Sequence, residues 1–117
     1  MAWTVLIVDD HAGFRASARA LLEADGFEVV GEAADGPEAL EQARRLGPQV
    51  VLLDVQLPGL DGFAVADRLA VLPAAPAVVL ISSRGPGSFR GRLAATTARG
   101  FITKAEFSGE SLSLVLA

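Results

Sequence analysis

The sequence predicts an α/β fold in which a doubly wound, five-stranded parallel sheet carries helices on both faces. First, short apolar segments alternate five times with segments of helical periodicity. Second, several apolar segments, such as residues 50–53, contain no polar residue, which is typical of strands buried on both faces. Third, no repeat, low-complexity tract or linker divides the 117 residues. We therefore expect a single domain over residues 1–117.

The first half of the chain supplies two strands and two helices. The predicted bounds are residues 3–8 for strand 1, 11–24 for helix 1, 27–32 for strand 2 and 37–46 for helix 2. Apolar residues recur at helical spacing in both helices. Gly26 follows helix 1 as a residue suited to left-handed geometry. Pro37 stands in the first turn of helix 2, and Gly47 and Pro48 stop that helix.

The second half of the chain repeats the pattern. The predicted bounds are 49–53 for strand 3, 61 or 62 to 72 for helix 3, 77–81 for strand 4, 89–98 for helix 4, 100–103 for strand 5 and 108–116 for helix 5. Residues 84–87 are expected to break any regular structure. Ser108 or Ser111 is a candidate cap for helix 5. Right-handed crossovers favour the flavodoxin-like strand order 2-1-3-4-5.

Composition excludes several classes of protein. There is no cysteine, so disulfides and thiolate metal sites are excluded, and a reducing, cytoplasmic location is expected. No apolar run is long enough to cross a membrane, and the N-terminus does not resemble a secretory signal. The net charge of −4 argues against general binding of nucleic acid. Nine of the ten basic residues are arginine, which leaves Lys104 as the single lysine.

Polar side chains stand where four of the predicted strands end. Asp9 and Asp10 follow strand 1, Asp54 follows strand 3, Ser82 follows strand 4 and Lys104 follows strand 5. Each of these residues, taken alone, has an ordinary role as a helix cap, a turn residue or a solvated charge. Together they would lie along the carboxyl edge of the sheet, where neighbouring strands are about 4.8 Å apart. Such a joint arrangement is much harder to obtain by chance.

Carboxylates brought together at this edge need a cation. They would repel each other, and at least one pKa would rise, unless positive charge is present. A divalent cation with oxygen ligands, such as Mg²⁺, is the simplest solution, and the ammonium of Lys104 adds a second positive charge. The hydroxyl of Ser82 offers a hydrogen-bond donor. These groups suit a phosphoryl group, which predicts Asp54 as a nucleophile that forms an aspartyl phosphate.

The sequence resembles the receiver domain of response regulators in two-component signalling. The matching segments are Leu6-Ile7-Val8-Asp9-Asp10-His11, the stretch from Leu53-Asp54 to Asp61-Gly62, Val79-Leu80-Ile81-Ser82 and Gly100-Phe101-Ile102-Thr103-Lys104. The resemblance covers essentially the whole chain. The run from Lys104 to Glu106 departs from the Lys-Pro of many receivers and is closest to the branch with helix-turn-helix outputs.

The resemblance implies how the acceptor and the metal are arranged. Asp54 would be the phospho-acceptor and would receive its phosphoryl group from a sensor histidine kinase. Asp10 and Asp54 would bind Mg²⁺ directly, together with the main-chain carbonyl of Gln56. Asp9 would act on the metal partly through water. No enzymatic activity is expected beyond the domain's own phosphorylation and dephosphorylation.

The resemblance also implies a switch. Ser82 and Lys104 would contact the phosphoryl group, and Phe101 matches the aromatic position that rotates when the serine moves, although a plain core role also suits Phe101. The responding surface would consist of helix 4, strand 5 and helix 5, and the end result would be control of transcription. DNA would be bound only through an output domain outside this chain. Whether the chain is a stand-alone receiver or a segment stays open.

Four arginines on the helix 4 side have two interpretations. They are Arg84, Arg90, Arg92 and Arg99. One interpretation is a solvated face. The other is a surface for phosphorylation-dependent homodimerisation, with Glu106 and Glu110 as the acidic partners.

Three rival functions share part of this pattern. A phosphatase of the haloacid dehalogenase class also uses a strand-end Asp and Mg²⁺, but it needs a second Asp where this chain has Gln56. A flavodoxin-like FMN binder is disfavoured because Asp9 and Asp10 would repel a phosphate. A pseudo-receiver that serves only as an interaction module is disfavoured by the intact set of polar residues.

Overall fold

A computed structural model, which describes residues 2–117, contains a five-stranded parallel sheet in the order β2-β1-β3-β4-β5. The strands are β1 (Thr4–Val8), β2 (Glu28–Ala33), β3 (Val50–Asp54), β4 (Ala77–Ser82) and β5 (Gly100–Thr103). The helices are α1 (Ala12–Ala24), α2 (Gly36–Leu46), α3 (Gly62–Ala70), α4 (Arg90–Ala95) and α5 (Gly109–Leu116). The predicted fold class and strand order are confirmed.

The sheet buries a separate apolar cluster on each face. Along β1, Leu6 and Val8 point to the cluster beneath α2 and α3, whereas Val5 and Ile7 point to the cluster beneath α1 and α5. All four side chains are fully buried. Because each buried aliphatic side chain contributes about 1.5–3 kcal/mol, this two-sided burial explains why the interior positions of the central strands are apolar.

The two edge strands are less buried than predicted. In β2, Val29 and Ala33 are buried while Glu28 is exposed, and in β5 only Ile102 is buried. The burial on both faces expected of the strands is therefore incomplete in β2 and β5. Each of these strands has a neighbour on one side only, so the helices cover it incompletely.

The helix ends follow from local hydrogen bonds. Asp35 caps α2, since its Oδ1 accepts from the N–H of Glu38 at 2.9 Å. Gly47 ends α2 in the left-handed region, with φ of 57°. Ser108 is the cap of α5 and pairs reciprocally with Ser111. Both candidate serines therefore take part in one capping box, which satisfies N–H groups that have no partner inside the helix.

Helix α4 is shorter than predicted. A 3₁₀ turn over Pro86–Phe89 precedes it, so the expectation of no regular structure across residues 84–87 is wrong. The helix ends at Ala95 instead of residue 98, because Thr96 is extended and its Oγ1 accepts from the N–H of Ala98 at 3.1 Å. Helix α3 also ends early, at Ala70. No helix within residues 2–117 is long and apolar enough to span a membrane.

Helix α3 begins directly against the end of β3. The N–H of Gly62 donates to the carbonyl oxygen of Val55 at 2.9 Å. A Cβ atom at position 62 would collide with the carbonyl oxygen of Asp54 and would lie 2.7 Å from the Cα of Val55. Both obstacles are backbone and cannot rotate away. Glycine is therefore required here for close approach of two backbone segments.

We predict that Gly62→Ala lowers the free energy of unfolding by about 1–3 kcal/mol, because the added methyl group overpacks a rigid contact. Urea denaturation followed by circular dichroism measures this. Gly13→Ala is the matched control, since Gly13 lies in α1 with no atom within 4 Å of the new Cβ. Equal stability of Gly62→Ala and the wild-type protein would contradict the packing argument.

Candidate functional site

The polar residues singled out in the sequence lie at the carboxyl edge of the sheet. Asp54 and Ser82 are the last residues of β3 and β4, while Asp9 and Lys104 come directly after β1 and β5. Because all strands are parallel, these ends face the same way. The structure brings three of these side chains, those of Asp9, Asp54 and Lys104, into direct contact.

The ammonium of Lys104 bridges the two buried carboxylates. Its Nζ lies 2.6 Å from Oδ2 of Asp9 and 3.3 Å from Oδ2 of Asp54. Asp9 is fully buried and Asp54 is 2% exposed, while 19% of the lysine side chain is accessible. Isolated charges are costly to bury, so each carboxylate depends on this ammonium or on another cation.

Burial and charge shift the pKa of each member of this trio. Burial raises the pKa of Asp54, and the nearby charge of Asp9 raises it further, against a hydrogen bond from the backbone of Gln56 and the charge of Lys104. For Asp9, burial acts in the same direction, but hydrogen bonds from Lys104 and His11 outweigh it and lower the pKa. Burial would lower the pKa of Lys104, yet the two carboxylates raise it, so the lysine stays charged at neutral pH.

The same local turn fixes the polar side chain at three strand ends. In each case the side-chain oxygen accepts a hydrogen bond from the backbone N–H two residues later. The pairs are His11 N–H to Asp9 Oδ1 at 2.8 Å, Gln56 N–H to Asp54 Oδ1 at 3.1 Å and Arg84 N–H to Ser82 Oγ at 3.0 Å. Asp and Ser favour such turns. The turns orient each side chain at the point where the chain leaves the sheet.

The acidic end of the site is suited to a metal ion. Asp9, Asp10, His11 and Asp54 each offer a ligand atom, and these atoms lie within 4.8 Å of one another. The buried Oδ2 of Asp9 has no well-aligned hydrogen bond, although the ammonium lies beside it. Carboxylate oxygens are the donors that Mg²⁺ prefers, so the acidic residues fit this ion. His11 was not predicted as a candidate ligand from the sequence, although imidazole is a ligand type and this residue directly follows the acid pair.

Arg15 and Phe14 are two further residues of the site that were not predicted from the sequence. Arg15 donates from Nη1 to the carbonyl oxygen of Asp9 at 2.7 Å and from Nε to Oε1 of Glu32 at 3.1 Å. It thus ties the end of β1 to the edge strand β2. The ring of Phe14 lies beneath the lysine, with Nζ of Lys104 4.5 Å from the ring centroid. Both residues make contacts between different secondary-structure elements, which the spacing of residues in the sequence does not predict.

Phe101 lies on the same face of the sheet as Ser82. Phe101 pairs with Leu80 across β4 and β5, and side chains two residues apart on a strand share a face. Phe101 is half-buried, and its ring lies 6.1 Å from that of Phe89. The ring of Phe89 lies 5.8 Å from that of Phe63 in α3. A row of three aromatic rings therefore leads from β5 to the start of α3.

Two of the four arginines on the α4 side make contacts within the protein. Arg92 lies 2.6 Å from Oδ2 of Asp61, and its guanidinium lies 4.3 Å from the ring centroid of Phe63. Arg99 donates to the carbonyl oxygen of Leu116 at 3.2 Å. These contacts hold α4 against α3 and the end of α5 against β5. The basic surface suggested by the sequence is therefore reduced, because two of its four charges are engaged in contacts within the protein.

Comparison with known proteins identifies the class to which this fold and site belong. Residues 5–115 match the family model of the response regulator receiver domain, and the chain belongs to this family. The resemblance seen in the sequence is confirmed.

Two relatives and one solved structure show the same similarity. BvgA, a transcription regulator of virulence factors in Bordetella pertussis, is 40% identical over 102 residues, which cover 87% of this chain and 49% of BvgA. A protein of Pseudomonas aeruginosa described as a transcriptional regulator is 42% identical over 92% of this chain and 52% of its own length. The chain thus spans about half the length of these relatives. The receiver domain of NarL from Mycobacterium tuberculosis superposes with a TM-score of 0.84 at 33% identity, with 99% of this chain and 98% of that domain covered.

We predict that the ion pairs of Glu32 make stability depend on pH. The hydrogen bond from Arg19, supported by Arg15, holds the pKa of Glu32 below its usual value of 4.5 despite partial burial. This contribution is therefore present above pH 4.5 and is lost as the pH falls through the lowered pKa. Glu32→Gln should be less stable than wild type by about 0.5–1 kcal/mol at pH 7 and equal to it under strong acid.

Urea denaturation from pH 7 down to strong acid measures the difference in the free energy of unfolding between Glu32→Gln and the wild type. Glu28→Gln, at an exposed position on the same strand, is the control for the loss of one negative charge. A Glu32→Gln deficit that persists unchanged into strong acid would refute the assignment.

Proposed function

We propose that this domain is a phosphorylation-controlled switch in which Asp54 accepts a phosphoryl group from a sensor histidine kinase, in a reaction that requires Mg²⁺. The observation that carries this proposal is the buried carboxylate of Asp54, held beside the ammonium of Lys104 at the carboxyl edge of the sheet. Membership of the receiver family supplies the class of reaction.

Each residue of the site would have its own part in the transfer. An oxygen of Asp54 attacks the phosphorus of the phosphohistidine, the new O–P bond replaces the P–N bond, and the imidazole leaves. The N–H of Gln56 fixes Oδ1 of Asp54, which leaves Oδ2 facing the ammonium. Lys104 neutralises a phosphoryl oxygen, and Ser82 donates its hydroxyl to another.

The metal would be held on the β1 side of Asp54. Asp10 and Asp54 would bind it directly, the main-chain carbonyl of Gln56 would complete the protein ligands, and Asp9 would act partly through water. Bound Mg²⁺ supplies positive charge that neutralises the transferred phosphoryl oxygens. The grouping of carboxylate oxygens at this position supports the assignment.

The switch would involve the surface formed by α4, β5 and α5. The hydroxyl of Ser82 accepts the N–H of Arg84, so movement of this hydroxyl toward a phosphoryl group would pull on the chain that leads to α4. Phe101, which contacts Phe89 beside that helix, would follow. Helix α4 buries none of its residues, which leaves it weakly anchored and suited to respond. An output domain of the kind carried by transcription-regulating relatives would read the change.

We predict that Asp54→Asn abolishes phosphorylation by acetyl phosphate in the presence of Mg²⁺, because the amide lacks the nucleophilic oxygen. Intact-protein mass spectrometry detects the added phosphoryl group. Asp67→Asn, an exposed position on α3, is the control and should be labelled like the wild type. Full labelling of Asp54→Asn would remove the central claim.

We predict that Asp10→Ala weakens Mg²⁺ binding at least about tenfold, because a direct carboxylate ligand is lost. Isothermal titration calorimetry measures the affinity. Stability should change little, since 36% of the Asp10 side chain is exposed. Glu41→Ala, an exposed acidic position on α2, controls for the change in net charge. Unchanged affinity in Asp10→Ala would show that the metal is bound elsewhere.

A further inference from the structure

The ammonium of Lys104 has an aromatic neighbour as well as two acidic ones. Its Nζ lies 4.5 Å from the centroid of the Phe14 ring, which belongs to α1. Phe14 in turn packs against Phe107, with ring centroids 6.1 Å apart and planes tilted by 53°. Phe107 is buried in the cluster beneath α1 and α5. The lysine thus rests on a ring that is itself held by the core.

The lysine needs such a support because its chain is flexible. A lysine side chain carries about 2 kcal/mol of rotamer entropy, and its charge is a compact point without preferred direction. In this site the nearer carboxylate is that of Asp9, at 2.6 Å, whereas Asp54 is 3.3 Å away. Attraction to Asp9 alone would draw the ammonium away from the acceptor. An aromatic face attracts cations through its quadrupole and supplies a third fixed direction.

We propose that Phe14 is a positioning residue for phosphoryl transfer: its ring face, backed by Phe107, holds the ammonium of Lys104 beside Asp54. Phe14 does not touch the reacting atoms and acts through the lysine. The proposal rests on the proposed function in that Asp54 must be the acceptor. Helix α1 therefore takes part in the chemistry, and the strand-end residues alone do not reveal this role.

The kinetic test compares two substitutions of Phe14. Phe14→Leu keeps an apolar side chain but removes the ring, whereas Phe14→Tyr keeps an aromatic face. With phosphoramidate as donor and saturating Mg²⁺, the maximal phosphorylation rate of Phe14→Leu should fall about three- to tenfold, as expected for loss of a cation–π contact. The donor concentration at half-maximal rate should change little. Phe14→Tyr should stay within about twofold of the wild type.

Phe27→Leu controls for a general loss of packing. Phe27 belongs to the same apolar cluster and lies immediately before β2, and the cation–π contact of Lys104 is made by Phe14. Phe27→Leu should lose stability yet phosphorylate at the wild-type rate. If the rates of Phe27→Leu and Phe14→Leu fall equally, the effect of Phe14 is one of stability only, and the proposal is overturned.

A spectroscopic readout exploits the single lysine of the chain. In protein labelled with isotopic lysine, the ε-methylene protons of Lys104 should resonate upfield because of the Phe14 ring. The shift should persist in Phe14→Tyr and Phe27→Leu and disappear in Phe14→Leu. An unchanged resonance in Phe14→Leu overturns the proposal.

Parallel labelling of Asp54→Asn separates the two claims. Continued labelling of that variant refutes the proposed function. An unlabelled Asp54→Asn together with a wild-type rate for Phe14→Leu refutes only the role of Phe14.

Discussion

The contact of one ammonium with two buried carboxylates constrains how the whole sheet is built. Lys104 follows β5, yet it reaches Asp54 on β3 and Asp9 after β1. Strands are about 4.8 Å apart, so the side chain must cross the end of β4. That strand ends in Ser82, a small and fully buried residue. The contact therefore depends on three features together: the strand order, the long side chain of lysine and the small residue at the end of β4.

The sequence predicts the fold class, the strand order and the acidic residues of the site. It can do so because local patterns of apolar and polar residues determine these features. The unbroken apolar run at residues 50–53 predicts a strand covered on both faces, and the structure buries every residue of β3. Parallel topology then gathers the polar residues that end such runs. For this reason the proximity of Asp9, Asp54 and Lys104 could be inferred without coordinates.

Other features depend on contacts between distant elements and could not be inferred in this way. The placement of the Phe14 ring beneath Lys104 results from how α1 settles against the sheet, and no periodicity encodes it. The start of α4 is a second example. Gly91 is a poor helix former, and the neighbouring Phe89 packs against Phe63 and Phe101. Tertiary packing overrides local preference where that preference is small.

The distribution of charge explains why a lysine and a metal ion would both be needed. Three carboxylates, those of Asp9, Asp10 and Asp54, share a site with one ammonium. Arg15 lies nearby, but its guanidinium donates to the carbonyl oxygen of Asp9 and to Glu32 rather than to Asp54. A phosphoryl group would exchange one carboxylate charge for about −1.5 to −2 at neutral pH, which deepens the imbalance. The lysine approaches from the β5 side, so a divalent cation bound at the acidic residues on the β1 side would balance the charge from the opposite direction.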